Sequence, residues 1–479
     1  MAPPDAIAHL LRRATFGPTA EEVEAAVRVG FDTTLDRLLT PAGTDAGAAA
    51  TPAPRLGPDP HATLGKGAGR EQRQQANKQR TEQAQQVTRW WLDRMVAADH
   101  QLTEKLIFFW HGHWATSVQK VKSAQLMLGQ LDTLRRYGRD GFGPLVAAMV
   151  RDPAMILWLD GEKNTRRAPN ENLARELMEL FTLGIGHYSE DDVKAGAKAL
   201  TGWTVVRESG TARFEPKRHD TEPKTILGRT DTFDADSYAE LLAGLPRAAE
   251  FVSDRLWFRF AGATPPSDGV EPPAGGVEPP AGGVEPPAGG VEPPAGGVEP
   301  PAGGVEPPAG GVAPPAGGAT ADVTAILRAM FTDPAFVRTR GQLVKQPVEW
   351  AVGAMRQLRI RPADLTEQQR KQVQSGLSGM DQVPLRPPSV GGWPAGAAWL
   401  TTSSLQARMR LADLFAGTAG PVAVQRITTA PAAGRLDALA RLLVVDAWTE
   451  RTRAALTPLA ANPERLIAAG LVSPEYTVS

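Results

Sequence analysis

The residues best suited to chemistry lie on one predicted helix, residues 170–181. Pro169 cannot extend a helix backwards, Asn170 is a good N-cap, and Gly184 marks the end. At about 100° per residue, the apolar side chains fall on one arc of this helix and the polar side chains on the other. The polar arc contains Glu171, Asn172, Arg175, Glu176 and Glu179.

This polar arc has two interpretations. The simpler one is a solvated face with an internal pair between Arg175 and a glutamate. In the other, the face is buried against polar groups from elsewhere and builds a site, with Glu171, Arg175, Glu176 and Glu179 as candidate catalytic residues. Glu176 and Glu179 are three residues apart, so both can face one point, as paired carboxylates do in helical metal proteins.

Histidines supply two further groups of candidates. His111 and His113 would lie about 200° apart on a helix, but Gly112 frees the backbone, so both could turn toward one point. His219 and Asp220 are a third place where ligand-type side chains adjoin. The alternative for His111 and His113 is a pair of histidines hydrogen-bonded at a helix end.

These groups would suit a metal site if the fold brings them together. The chain has no cysteine, so a metal must be held by His, Asp, Glu or Asn. Imidazole and carboxylate ligands suit Zn²⁺, Mn²⁺ or Fe²⁺, which would activate water while a remaining carboxylate acts as general base. The candidate metal ligands are His111, His113, Glu176, His219 and Asp220. No nucleotide cofactor is expected, because the chain lacks a dinucleotide-binding glycine motif and a Walker loop.

Composition and charge exclude several classes of partner. The chain has 479 residues and a net charge of −1, which gives no global electrostatic case for nucleic acid or an anionic membrane. The first residues lack the basic and apolar segments of an export signal, and no apolar run is long enough for a membrane span. As written, the sequence predicts a soluble, cytoplasmic protein.

The pattern of elements predicts a mainly α, irregular multi-helix fold in a single domain, residues 1–479. One short β-hairpin is expected near residues 204–215. Residues 41–70 are rich in Ala, Pro and Gly and are predicted to form a mobile loop. Residues 261–320 are a predicted disordered insertion, because residues 270–318 are seven tandem heptads of the type Val-Glu-Pro-Pro-Ala-Gly-Gly, which cannot form a packed core.

Several motifs together resemble the DUF1800 family, a large bacterial family of unassigned function. The Pro-Asn-Glu-Asn helix is the most specific of them. The motifs that carry the resemblance lie at residues 12–17, 109–114, 169–180, 200–203, 219–220, 224–228, 345–349 and 387–394. The resemblance also marks Asn164, Asn170, Asn172 and Lys224 as motif residues. It implies that the polar residues among 170–179 are required by a functional site rather than by solubility.

The resemblance carries expectations about location and partners as well. Family members are usually exported and often lie beside genes of the DUF1501 family, which resembles sulfatases and phosphatases, so a DUF1501-like protein is the expected partner. This chain departs from the family in lacking an export signal, in carrying the heptads, and in having Asp381 and Arg386 where Gly and an aromatic residue are usual.

Two functions from different classes follow. The first is a metal-dependent enzyme, a hydrolase or oxidoreductase, with a site of His, Glu and Asp side chains. The alternative is a non-catalytic all-α scaffold or binding protein. In it a buried polar network fixes the fold, and the protein acts by binding a partner such as a DUF1501-like protein.

Overall fold

The computed structural model describes residues 4–65, 67–139, 141–262 and 321–479. Within these ranges the chain is mainly α-helical, as the sequence predicts, and its strands form two sheets of two strands each. The heptad insertion predicted at 261–320 lies outside the described residues, apart from residues 261 and 262. No helix in the described ranges combines the length and the apolar character that crossing a membrane requires.

Helices account for most of the described elements. The α-helices before residue 262 are α1 (Pro4–Ala14), α2 (Ala20–Val29), α3 (Phe31–Leu39), α4 (Ala46–Ala49), α5 (Arg70–Ala97), α6 (Gln101–His113), α7 (Val118–Val121), α8 (Ala124–Tyr137), α9 (Phe142–Met149), α10 (Pro153–Trp158), α11 (Asn172–Glu176), α12 (Glu190–Ala199), α13 (Ala235–Ala243) and α14 (Pro246–Phe260). Those after residue 321 are α15 (Val323–Thr332), α16 (Pro334–Arg338), α17 (Pro347–Gln357), α18 (Glu367–Gly379), α19 (Thr402–Thr418), α20 (Pro421–Thr428), α21 (Arg435–Leu443), α22 (Glu450–Leu456), α23 (Pro463–Leu471) and α24 (Pro474–Thr477). Short 3₁₀ helices span Gly161–Lys163, Pro216–Arg218, Pro362–Asp364, Gly396–Trp399, Ala432–Gly434 and Thr457–Leu459.

The predicted hairpin is present and a second one follows it. Strand β1 (Trp203–Val206) pairs antiparallel with β2 (Thr211–Phe214), which confirms the prediction. The second hairpin joins β3 (Lys224–Ile226) to β4 (Arg229–Asp231). Its two turn residues, Leu227 and Gly228, have φ of 50° and 76°, the left-handed backbone of a tight hairpin turn. The first turn residue is leucine instead of the usual asparagine, so the Asn-Gly sequence that signals such a hairpin is missing.

The helix predicted at residues 170–181 changes type along its length. Helix α11 begins at Asn172, two residues later than expected, and a π-helical segment, Leu177–Thr182, continues it. In that segment the Leu183 amide donates to the carbonyl of Met178, five residues back, at 2.9 Å. We call residues 172–182 the motif helix. Such π-helical turns are rare and occur often at functional sites.

Residues 41–70 make more contacts than their composition indicates. The Asp45 carboxylate accepts hydrogen bonds from the amides of Ala48, Asp99 and His100, at 2.7 to 2.9 Å. Trp90 donates its indole N–H to the carbonyl of Thr51 at 2.9 Å. A lack of hydrophobic periodicity therefore did not mean a lack of ordered contacts, and mobility of the segment stays a prediction.

One core joins the helices on both sides of the insertion. It contains buried apolar residues from Leu10 to Tyr476. The rings of His9 and Phe336 lie 4.6 Å apart, and the carbonyl of Thr339 accepts a hydrogen bond from Arg13 at 2.6 Å. Helix α1 therefore packs directly on α16, more than 300 residues away in the chain.

A buried ion pair connects α6 to α17. The ammonium group of Lys105 lies 3.3 Å from Glu349 and donates to the carbonyl of Thr15 at 2.7 Å. The other carboxylate oxygen of Glu349 accepts from the Gln346 amide at 3.2 Å. Burial lowers the pKa of Lys105 to about 8, although Glu349 opposes the shift. Burial alone would raise the pKa of Glu349, but Lys105 and Arg259 hold it below its ordinary value.

The loop at residues 391–395 packs backbone to backbone against the end of α6. Gly392 has φ of 85°, and a Cβ there would overlap the carbonyl oxygen of Gly112. This close approach places the ring of Trp393 against Phe108 and His111, with centroids 6.1 and 5.4 Å apart. Position 392 therefore needs glycine for two reasons: its φ is positive, and a side chain would collide with the backbone of α6.

The substitution Gly392→Ala should lower the free energy of unfolding by about 1–3 kcal/mol, because it adds backbone strain and a steric overlap. The matched control is Gly391→Ala, where an added Cβ would meet only the Ser389 hydroxyl at 3.6 Å. That control should stay within about 0.5 kcal/mol of the parent protein in urea unfolding. Equal effects of the two substitutions would contradict this packing argument.

Candidate functional site

Asn164 anchors the chain that leads into the motif helix. Its buried amide donates to the carbonyl of Ala197 at 2.8 Å and accepts from the Asn170 amide at 2.9 Å. The side chain of Asn170 in turn accepts from the Asn172 amide at 3.0 Å, so it satisfies a free N–H of the first turn as an N-cap does. The Asn172 side chain is exposed. The asparagines of the motif thus shape the start of the helix.

Arg175 is paired with carboxylates on two helices. Its guanidinium donates to both oxygens of Glu190 on α12, at 2.7 and 2.8 Å, and to Glu171 at 3.0 Å. The hydrogen bonds that Arg175 donates to Glu190, followed by the one it donates to Glu171, raise the pKa of Arg175 above its ordinary value. Arg175 therefore joins the motif helix to α12, and it also binds Glu171, the residue before the helix. A catalytic role for either residue stays a prediction.

Glu176 and Glu179 differ in their surroundings. Glu179 accepts a hydrogen bond from the Tyr188 hydroxyl at 2.8 Å. Glu176 is half-buried and makes no hydrogen bond or ion pair with any described residue. Burial, together with the charge of Glu179, raises the pKa of Glu176 to about 7. Glu176 can thus carry a proton near neutral pH, whereas Glu179 accepts a hydrogen bond from Tyr188.

His111 is fully buried between tryptophans. Its Nε2 accepts a hydrogen bond from the Leu385 amide at 3.0 Å, so the ring proton must be on Nδ1. Its ring lies edge-on to Trp91 and Trp393, with centroids 5.3 and 5.4 Å away. Burial lowers the pKa of His111 to about 3, so the ring is neutral at pH 7.

His113 is also buried, on a different side of the helix end. Its Nε2 lies 3.0 Å from the carbonyl of Phe181 in the motif helix, and since a carbonyl only accepts, Nε2 carries the proton. Its Nδ1 is buried and has no described partner. Burial, together with the charge of nearby Arg255, lowers the pKa of His113 to about 3. The arrangement matches the simpler alternative for this pair, histidines hydrogen-bonded at a helix end.

His219 and Asp220 stabilise a loop beside the first hairpin. The Nδ1 of His219 lies 3.0 Å from the carbonyl of Thr201, and the Asp220 amide donates to the Thr201 hydroxyl at 2.9 Å. The buried ammonium of Lys224 donates to the carbonyls of Asp220 and Glu222 at 2.7 Å. It also lies 3.3 Å from the Asp220 carboxylate, which is thereby directed toward a lysine.

The three candidate groups do not form one ligand cluster among the described residues. In residues 4–65, 67–139, 141–262 and 321–479, no group of three or more His, Asp and Glu side chains is arranged to hold a metal ion. His111 and His113 each contact a backbone group and aromatic rings rather than carboxylates. Metal binding by His111, His113, Glu176, His219 and Asp220 stays a prediction.

Sequence reasoning missed four residues that contact or adjoin the candidate groups. Tyr188 lies in a loop without periodicity, and Glu190 is the first residue of α12. Only folding brings Tyr188 to Glu179 and Glu190 to Arg175. Arg255 and Arg259 left a faint signal, because they are two arginines four residues apart in an otherwise apolar stretch of helix. Such a pair lies on one face of a helix, and both side chains are half-buried here.

The substitution Asn164→Leu should lower the free energy of unfolding by about 1–3 kcal/mol, since it leaves the Ala197 carbonyl and the Asn170 amide without partners. Asn172→Ala is the matched control because the Asn172 side chain is exposed, and it should change stability by less than about 0.5 kcal/mol. Urea unfolding of both variants checks this. A tolerated Asn164→Leu would show that water replaces the lost bonds.

The comparisons with known proteins agree with the motifs. The model of the DUF1800 family, described as "Protein of unknown function", matches residues 9–275 and 315–478. The residues between the two matched ranges fall inside the heptads. No curated protein and no solved structure matched the chain. Since the match includes most of the sequence, the chain belongs to the DUF1800 family of proteins of unknown function.

Proposed function

We propose that this protein is an acid–base enzyme of the hydrolase class in which Glu176 transfers a proton and Glu179 is its partner carboxyl group. The observation that carries the proposal is the half-buried carboxyl of Glu176, which has no described partner and lies one turn from Glu179. Unpaired, half-buried carboxyl groups are costly to keep, so such a group is a candidate for chemistry.

The two carboxyl groups have environments suited to opposite roles. Burial raises the pKa of Glu176 to about 7, and Glu179 adds to the shift, so Glu176 can donate a proton to a leaving group near neutral pH. Glu179 accepts the hydrogen bond of the Tyr188 hydroxyl, which holds its carboxyl group in place as the candidate base. Paired carboxyl groups also divide acid and base roles in glycoside hydrolases.

A divalent metal remains compatible with this pair. Zn²⁺, Mn²⁺ or Fe²⁺ could use the two carboxylates and take its remaining ligands from water or substrate. The metal would have to displace the proton of Glu176, so its affinity should rise as pH passes 7. Elemental analysis of the purified protein at pH 8 tests this part. Stoichiometric metal that Glu176→Gln loses supports it, and metal-free protein that also ignores added Mn²⁺ contradicts it.

The raised pKa of Glu176 predicts a specific pH dependence of stability. Between about pH 4.5 and 7 the folded protein keeps a proton that the unfolded chain has released, so unfolding releases a proton and stability falls as pH rises. Relative to Glu176→Gln, the parent protein should lose roughly 1–3 kcal/mol across this window. Urea unfolding at several pH values measures the difference.

A control on an exposed glutamate isolates the effect. Glu240→Gln, on α13, should keep the slope of the parent protein, because that side chain is exposed. If the difference between the parent protein and Glu176→Gln does not change with pH, the Glu176 carboxyl does not hold its proton in the way proposed.

Activity should depend on the same carboxyl. Chromogenic glycosides, carboxylic esters, phosphate esters and sulfate esters form a suitable panel, assayed with and without Mn²⁺ or Zn²⁺. On any substrate turned over, Glu176→Gln should lower kcat by about 10²–10⁴-fold, as for loss of a general acid or base, while Glu240→Gln keeps the parent rate. Full activity of Glu176→Gln would refute the proposal. So would an inactive parent protein whose stability lacks the predicted pH slope.

A further inference from the structure

A cavity of about 90 Å³ lies where α6, α14 and the loop at residues 391–395 meet. Three segments that carry family motifs contribute to its lining, those at residues 109–114, 345–349 and 387–394. Its walls combine aromatic rings with polar groups. They include Phe109, His113, Arg255, Arg259, Gln346 and Trp393. The cavity has room for a group of a few heavy atoms.

Within the part of the chain that the structure describes, the two arginines of the cavity have no anionic partner in contact. Arg255 and Arg259 lie one turn apart on α14 and are half-buried. Among the described residues neither guanidinium makes a hydrogen bond or an ion pair. Each guanidinium lies over an aromatic ring, Phe251 at 5.9 Å for Arg255 and Phe108 at 5.5 Å for Arg259. Among the described residues no acceptor is bonded to the ten guanidinium N–H donors, five on each side chain, so these donors can bind a ligand.

The charge around the cavity is unbalanced toward positive. The carboxylate that attracts Arg259 is Glu349, which is already bonded to Lys105 and to the Gln346 amide. Arg13 and Lys345 are attracted to the same carboxylate. Among the described residues, these four buried or half-buried cations therefore share one carboxylate, an arrangement that costs free energy unless a further negative charge is bound.

Gln346 adds an oriented donor to the cavity wall. Its side chain is buried, and its Oε1 accepts a hydrogen bond from Gln382 at 2.6 Å. The NH₂ group of Gln346 is then left as a donor and makes no bond to a described residue. Arginine forks and amide N–H groups are the donors that proteins use for carboxylate and phosphate.

We propose that this cavity binds a small oxyanion, a carboxylate, phosphate or sulfate group, between Arg255 and Arg259, with Gln346 as a third donor. The aromatic rings of Phe109 and Trp393 form a wall for whatever the anionic group is attached to. The site is separate from Glu176 and does not depend on its proposed role, because no residue of the motif helix lines the cavity.

Calorimetric titration of the full-length protein tests the proposal. Sodium phosphate, sulfate and acetate are titrated at constant ionic strength, with sodium chloride as the control for screening. At least one oxyanion should bind with millimolar or better affinity while chloride does not. If all three bind no more tightly than chloride, the proposal is overturned.

Variants of the two arginines identify the site. Arg255→Met and Arg259→Met should each weaken oxyanion binding about ten- to a hundredfold, because each removes charge-assisted hydrogen bonds. Arg338→Met is the matched control, since Arg338 is exposed on α16, and it should bind as the parent protein does. Parent-like binding by a variant with both arginines replaced would overturn the assignment.

Thermal unfolding separates binding from a purely structural role. Without ligand, the two methionine variants should have an unchanged or higher Tm, because a buried unpaired charge has been removed. They should also lose the rise in Tm that the oxyanion produces in the parent protein. A lower Tm in both variants, together with an unaltered rise on adding oxyanion, would show that the arginines only pack the helix.

Phenyl phosphate distinguishes a free ion from a head group. Tighter binding of phenyl phosphate than of inorganic phosphate would support an organic ligand whose body lies against Trp393. Equal binding would support a free oxyanion in the same site. In both cases the phosphate group binds to Arg255 and Arg259. If the parent protein binds neither compound more tightly than chloride, the proposed site is wrong.

Discussion

The fold depends on how a single buried carboxylate, Glu349, is shared among cations. Lys105 contacts it directly, and Arg13, Arg259 and Lys345 are attracted to it from other elements. Charges are expensive to bury and costlier still to leave unpaired. The helices that supply them, α1, α6, α14 and α17, must therefore pack in one arrangement, and that arrangement aligns the end of α6 with one face of α14.

The motif helix is held from both of its ends by polar contacts. At its start, Asn164 bonds the preceding chain to Ala197, and near its end the carbonyl of Phe181 accepts a hydrogen bond from His113. Between these contacts the backbone changes to a π-helical segment, which needs support because its hydrogen bonds span five residues. Glu176 lies at the change of helix type, and its half-buried side chain has no bonded partner among the residues that the structure describes.

Aromatic packing separates the two histidines at the end of α6, although they are nearly adjacent in the sequence. His111 and His113 are two residues apart in sequence, yet each ring is enclosed by different aromatic neighbours and each bonds a different backbone group. Neutral imidazoles suit such surroundings because a charge there would be poorly solvated. The adjacent cavity is different, since Arg255 and Arg259 bring charge to an aromatic wall.

The sequence by itself determined the mainly α-helical class, the first hairpin, the family and the polar arc of the motif helix. These depend on local periodicity, turn residues and contiguous motifs. Only the tertiary structure decided that Arg175 binds Glu190, that Glu179 rather than Glu176 receives the Tyr188 hydroxyl, and that Arg255 and Arg259 face a cavity. Those outcomes depend on contacts between distant segments and on burial, which no local pattern specifies.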